Sequence, residues 1–243
     1  MKLYLNYNLQ TKHMINIITP CFKENIDIIS RNINSVQDQS TNNLKYNHIL
    51  IFDGVQRKDI NLKTVPAGKN INFFYLRNNH DDYGDYARKI GTKISLLRNA
   101  EAVTYLDADN YLEKNNLKEI INCRLKTKKN IIITKRRLVN DCYTKSEKDN
   151  SNFYDTNTIT FFNKHIKIGL LWASYPKELS LIGDRIISNY IKIKYINDVA
   201  FTNKVTVNYE YSKISKTKQY LLKKWYQSNF KNYRDQFVKK FGF

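Results

Sequence analysis

The chain has 243 residues and a mass of 28.9 kDa. It is 42% hydrophobic and 13% aromatic, with only 7 Gly and 3 Pro, which excludes a disordered or loop-dominated chain. Its 41 basic residues against 22 acidic ones leave a formal charge of +19, a balance that suits polyanions such as anionic lipid, phosphorylated substrates or nucleic acid. Three widely spaced cysteines, Cys21, Cys123 and Cys142, form neither a disulfide framework nor a zinc pattern and point to a reducing compartment. The opening MKLYLN turns polar too early for a secretory leader, and no apolar run approaches the ~20 residues of a spanning helix. A cytoplasmic placement is expected, with contact to the inner face of a membrane left open.

The apolar stretch Met14–Thr19 reads as a buried strand that stops at Pro20 and Cys21. Apolar residues at 26, 28, 29, 33 and 36 predict a helix over 24–37. A second strand is expected at Asn47–Asp53, ending on a carboxylate before Gly54, and a third at Ile71–Leu76. Residues 84–100 place Ala87, Ile90, Ile94 and Leu97 on one helical face, and Ala102–Leu106 gives a fourth strand. Alternation of this kind predicts a largely parallel sheet flanked by helices, with ligands bound beyond the carboxyl ends of the strands.

Thr19, Asp53 and the run Asp107-Ala108-Asp109 all fall at such ends. Two carboxylates so close raise each other's pKa unless a cation lies between them. A hard divalent ion, Mn²⁺ or Mg²⁺, removes that conflict and keeps sites open for phosphate oxygens. A lone Asp-x-Asp reads more readily as a solvated turn with two surface acids; it is the convergence of three strand ends that favours a metal.

In order, the motifs ITPCFKEN, HILIFDG, GDYARKIGTKISLL and YLDADNYL resemble the nucleotide-binding half of family-2 glycosyltransferases, which have the GT-A fold. The resemblance covers roughly residues 14–125. It implies sugar transfer, with inversion, from a UDP- or GDP-linked nucleotide sugar to a hydroxyl of a glycan or lipid-linked acceptor. By position it implies that Thr19 and Asp53 contact the nucleoside, Arg88 lies near the diphosphate, and Asp107 and Asp109 hold metal and donor. Two residues depart from the pattern: Phe52 stands where the first acid of Asp-Asp-Gly is usual, and Lys89 where Asn follows Ala-Arg. On the residues alone, Asp53 also reads as a turn cap and Arg88 as a solvated helix residue.

In the second half, Leu112–Lys126 reads as a helix and Asn130–Thr134 as a strand, followed by Lys135, Arg136 and Arg137, a solvated edge or a contact for a phosphorylated acceptor. Asp155-Thr156-Asn157 opens a strand running to Phe162 through a polar turn; family members carry a similar motif on the acceptor side, and an Asx-turn explains it equally. Trp172 is core or an acceptor platform. Asp184, after Gly183 and before Arg185 at the start of a helix, matches the position of the family's general base, although an acid there also complements a helix dipole. Arg185 belongs to the expected acceptor side, and His165 is the alternative base or a late metal ligand.

From residue 213 the chain changes character: nine basic residues face one acid, with Leu222, Tyr226, Phe230, Tyr233, Phe237 and Phe241 at helical spacing. This predicts a basic amphipathic helix, docked on the domain or lying on an anionic membrane. The expected division is a GT-A domain over 1–211, with a nucleotide-sugar half at 14–125 and an acceptor half at 126–211, and the helix at 212–243. Two competing readings remain at this level. Sugar-phosphate nucleotidyl transfer lacks its Gly-rich phosphate loop, because TPCFKEN has no glycine. Nucleic-acid binding is allowed by charge and tyrosines but lacks a binding module, and the strand-end acids would repel phosphate, so no nucleic-acid partner is expected.

Overall fold

The computed structural model describes residues 14–40, 44–55, 68, 70–140, 143–146 and 153–210. The expected arm at 1–13 and the amphipathic helix at 212–243 lie outside them. In chain order the main elements are β1 (Met14–Cys21), α1 (Ile26–Gln37), β2 (Lys45–Asp53), β3 (Ile71–Leu76), α2 (Asp85–Leu97), β4 (Ala102–Tyr105), β5 (Tyr111–Leu112), α3 (Asn116–Thr127), β6 (Ile131–Asn140), β7 (Tyr143–Ser146), β8 (Ile159–Phe162), α4 (Gly183–Lys194) and β9 (Val199–Glu210). The strands join in one sheet, ordered β3-β2-β1-β4-β8-β6-β9-β5, with β7 paired to β6.

The nucleotide half is parallel, as the strand-helix alternation predicts: β3, β2, β1 and β4 all run the same way. The change comes at β8, which is antiparallel to both β4 and β6, while β6 and β9 are parallel to each other. Alternate residues feed opposite faces. Ile18, Ile131 and Ile133 pack with α2, α4 and Trp172, whereas Ile15, Ile17 and Ile132 pack with Leu117 and Ile120 of α3. The period of two thus gives both faces an apolar layer. Each fully buried Ile or Phe contributes about 1.5–3 kcal/mol.

Several boundaries differ from the sequence expectation for identifiable reasons. β1 continues through Pro20 and Cys21 along β2. Pro20 is tolerated because Ile18 already makes the last bond to the β4 side, accepting from Leu106 N at 3.0 Å, so the missing N–H faces a strand that has ended. α3 begins at Asn116 rather than Leu112, because Tyr111 and Leu112 pair with Asn208 and Val207 of β9. β6 extends to Asn140 and carries Lys135, Arg136 and Arg137 inside a strand. Its partner β9 keeps it extended past the point where the apolar run stops, which a local reading cannot see.

Candidate functional site

Because β1, β2 and β4 are parallel and in register, their carboxyl ends share one edge of the sheet. There they open into a cavity of about 660 Å³, within the range of small-molecule sites. Its walls bring together Asp53, Arg88, Asp107, Asp109, Asp155 and Asp184 from separate parts of the chain, with Arg185 also on the lining and the fully buried Trp172 behind it.

Asp53 ends β2, and Gly54 turns the chain with φ +72°, where Asn79 approaches closely enough to leave no room for a side chain. Both carboxylate oxygens of Asp53 are engaged by one residue: His80 Nδ1 lies 2.6 Å from Oδ1, and the His80 backbone N–H donates to Oδ2 at 3.0 Å. The imidazole stacks on Tyr86 at 3.9 Å. Asp53 therefore reaches the cavity already oriented by His80, which the motifs did not reveal.

Thr19 is not on the cavity wall. It is fully buried, and its hydroxyl lies 2.8 Å from His48 Nε2. Pro20, Cys21 and Phe22 line the cavity at that strand end instead. The strand end therefore presents the one to three residues after Thr19 to the cavity, and Thr19 itself is withdrawn from it, because β1 runs on past Thr19.

The turn after β4 is held from three sides. Asn32 of α1 donates to the carbonyl oxygens of Asp107 and Asn110 at 2.9 and 2.8 Å. Arg31 donates to the carbonyl of Asp109 at 2.7 Å and forms an ion pair with Glu210 at 2.5 Å. Asn157 accepts from Asp107 N at 2.6 Å and donates to Asp107 Oδ2 at 2.9 Å. Arg88 completes the set, donating to Asp107 Oδ1 at 2.5 Å and Asp85 Oδ1 at 3.1 Å, with its guanidinium 5.3 Å above the Trp172 ring. Arg88 is buried, and the two carboxylates keep it firmly protonated against the cost of burial. Its immediate partner is Asp107, so it fixes that acid. Trp172 is fully buried, T-shaped against Tyr105, and supports Arg88 from beneath; it has no open face for an acceptor.

Asp155 and Asn157 serve the same turn. Asp155 is buried, paired with Arg136, and accepts from both the backbone and side-chain amides of Asn157 at 2.9 and 3.0 Å. Burial raises its pKa more than Arg136 lowers it. The Asx-turn and the polar contacts are one structure: the turn aims Asn157 at Asp107. Arg136 enters a strand whose alternate side chains point inward, whereas Arg137 is 3.6 Å from Glu113 at the surface.

Asp109 differs from Asp107. It is solvent-exposed and makes no ion pair among the described residues; partial loss of hydration in the cleft, then the Asp107 charge, raise its pKa above the ordinary carboxylate range. Among the described residues no three His, Cys, Asp or Glu side chains converge as a complete metal cage. The Asp107–Asp109 pair still fits a hard divalent ion. Such ions are held by one or two carboxylates with substrate phosphates completing the shell, and a cation would relieve the Asp107 repulsion that adds to the rise at Asp109.

Asp184 occupies the first turn of α4. Burial raises its pKa to about 6, with Arg185 opposing and Asp155 adding to the rise. Arg185 holds it through N and Nη1, at 2.8 and 2.9 Å from Oδ1, and its guanidinium stacks 4.3 Å from Phe153. His165 is elsewhere: buried, 3.2 Å from Asp198, and not part of the cavity lining. Neither a base nor a metal role at this site is open to it.

Asn32, His80 and Tyr175 lie outside the motifs, and Asp85, inside GDYARKIGTKISLL, is given no role by them. Only Asn32 left a signal: a polar residue between Ile29, Ile33 and Val36 on the buried face of an amphipathic helix.

A family model described as glycosyl transferase family 2 matches residues 16–175. Among curated proteins, none matches the chain in sequence. Solved structures of S. aureus TarS share the fold. TarS 1–349 in complex with UDP has a TM-score of 0.61 at 16% identity, covering 82% of this chain and 60% of that one. The same fragment in complex with UDP-GlcNAc has a TM-score of 0.57 at 12% identity, covering 84% and 60%. The chain thus spans three fifths of the length of these structures.

Proposed function

The chain belongs to glycosyl transferase family 2, and from that premise we propose that it moves a sugar from a nucleotide sugar to an acceptor hydroxyl, with Mn²⁺ or Mg²⁺ and with inversion. The observation that carries this reading is the convergence of Asp53, Asp107, Asp109 and Asp184 on one cavity at the strand ends. TarS structures hold UDP and UDP-GlcNAc, which favours a UDP-linked donor over a GDP-linked one.

In this reading Asp53, oriented by His80, accepts from the nucleoside. Asp109 and Asp107 would hold the metal, which would offset charge on the departing diphosphate. Arg88, Asn157 and Asn32 keep Asp107 and its turn in place. Asp184 takes the proton from the attacking hydroxyl. With a pKa of about 6 it is ionised at neutral pH yet more basic than an ordinary carboxylate, and such a base is worth ~10²–10⁴-fold. Single displacement requires one base opposite one stabilised leaving group, hence inversion. The proposed acceptor is a glycan or lipid-linked precursor, met on the side of Arg185 and Phe153. Nothing in the geometry of the cavity favours nucleotidyl transfer or nucleic-acid binding.

The test is nucleotide release from a panel of UDP- and GDP-sugars with Mn²⁺ or Mg²⁺, and then with EDTA. One donor class is expected to be turned over slowly, with the rate abolished by EDTA and by Asp109→Ala. Nucleotide binding and release that ignore both treatments would sink the reading.

A further inference from the structure

Gly183 is the first residue of α4 and has ordinary helical torsions, φ −53° and ψ −40°. The backbone therefore makes no demand for glycine here; space does. A Cβ at this position would lie 2.2 Å from the Tyr175 hydroxyl oxygen and 2.9 Å from Asp85 Oδ2. Those two atoms are bonded to each other: Tyr175 donates to Asp85 Oδ2 at 2.7 Å. The start of α4, one residue before Asp184, is thus seated directly on the Tyr175–Asp85 hydrogen bond.

The other oxygen of Asp85 accepts from Arg88 at 3.1 Å, and Arg88 holds Asp107. Asp85 is 1% exposed and Tyr175 is 6% exposed. A buried carboxylate is costly unless paired, and burial pushes Asp85 up to about 7 even with Arg88, Tyr175 and Ser180 beside it. The pair is therefore an expensive element of the fold that touches both ends of the cavity: the Asp107 end through Arg88 and the Asp184 end through Gly183.

We propose that Asp85 and Tyr175 are positioning residues that set where Asp184 stands relative to the Asp107–Asp109 turn, with Gly183 as the seat that makes the contact possible. The inference deepens the reading of Asp184 as the base and rests on it. Misplacing a reacting group by about 1 Å costs up to ~10²-fold, so a rigid spacer between the two ends has a kinetic purpose.

The charged and titratable groups around Asp184 are Arg185 on its own helix, Asp155 before β8, and Tyr175 with Asp85 behind Gly183. The experiment follows the Asp184 carboxyl carbon by NMR through a pH titration in the full chain. The proteins are the wild type, Gly183→Ala, Tyr175→Phe and the double variant, and nucleotide release from the UDP-sugar panel is measured on each. Gly183→Ala is expected to lift the start of α4, so that Asp184 gains water and titrates well below about 6, while release falls by about 10- to 100-fold. Tyr175→Phe removes the nearest atom that the new Cβ meets and leaves Asp85 Oδ2 at 2.9 Å. The double variant should therefore lose less than the sum of the two single variants in both readouts.

An Asp184 titration that is the same in the wild type and Gly183→Ala overturns the proposal, even if the variant melts earlier, since that is what a purely structural glycine would give. Additive losses in the double variant overturn it as well. Should Gly183→Ala fail to fold, Tyr175→Phe decides: a downward Asp184 titration supports the proposal and an unmoved one rejects it. If Asp184 titrates as expected in all four proteins while the wild type turns over no donor, the spacer stands and the assignment of Asp184 as a base falls.

Discussion

Asp107 and Asp109 are two residues apart and have opposite surroundings. Asp107 is bonded by Arg88 and Asn157, while Asp109 makes no ion pair among the described residues and is raised above the ordinary carboxylate range. The structural work therefore falls on Asp107, and the exchangeable position is Asp109. Asp184 gives a second contrast, between function and stability. Its folded pKa of about 6 stands above the ordinary 3.8, so the folded protein keeps this proton longer than the unfolded chain does. That contribution is complete below 3.8 and is lost as pH rises through 6. Asp184→Asn is accordingly expected to raise the melting temperature at neutral pH, by about 2–4 °C for ~1 kcal/mol, and to abolish transfer. The stability gap to the wild type should close in acid; a variant that melts earlier at neutral pH would contradict it. His48 has the opposite sign. It is fully buried beside Thr19, and burial lowers its pKa from 6.5 to about 3. Above 6.5 this costs nothing. As pH falls, only the unfolded chain takes up the proton, and from pH 7 to pH 5 about 2 kcal/mol of stability is lost. Urea titrations of wild type and His48→Gln should therefore diverge over that range, with the wild type losing more.

At the scale of elements, α1 is more than a covering helix. Asn25 caps it by accepting from Asp27 N at 3.0 Å, and Ile29, Ile33 and Val36 bury its apolar face. On that same face Asn32 spends both amide hydrogens on the Asp107–Asn110 turn. Asn32→Ala leaves two carbonyls without their donor, at on the order of 2 kcal/mol in denaturant unfolding. On the proposed metal reading of this turn, it should also weaken Mn²⁺-dependent nucleotide binding by about 10- to 100-fold. Asn32→Asp should be worse than Ala, because a carboxylate of nearly the same shape cannot donate and repels those carbonyl oxygens. Calorimetry with UDP and Mn²⁺ measures both, and equal binding in all three proteins would refute the clamp. β6 makes the related point that a strand with partners on both sides can carry charge: Arg136 turns inward to Asp155 while Arg137 stays at the surface.

For the whole molecule, a charge of +19 has consequences that no single contact captures. Self-repulsion destabilises the compact state, and salt screens it over roughly 8 Å at physiological ionic strength. The melting temperature is expected to rise between low and moderate NaCl; a flat response would mean that local ion pairs already balance the charge. Among the described residues no helix is long and apolar enough to cross a membrane. The basic, aromatic stretch at 213–243 is the proposed route to an anionic surface. Co-sedimentation of the full chain with vesicles containing anionic lipid, lost with neutral vesicles and reduced by salt, is the expected result, and binding indifferent to lipid charge would argue against it.

The sequence by itself determined the family, the parallel nucleotide half and the acids at the strand ends. These follow from local periodicity and from residues adjacent in the chain: HILIFDG carries its strand, its acid and its turn together, and YLDADN does the same. The tertiary structure alone decided what each acid touches. Asp107 meets Asn157 fifty residues on. Asp85 meets Tyr175 ninety residues on. Thr19 turns to His48 and away from the cavity. A carboxylate's charge state and direction depend on burial and on partners brought by other elements, and neither is encoded in its own neighbourhood of the chain. For that reason the chemistry of the site was legible as a set of residue types, while its orientation came only with the fold.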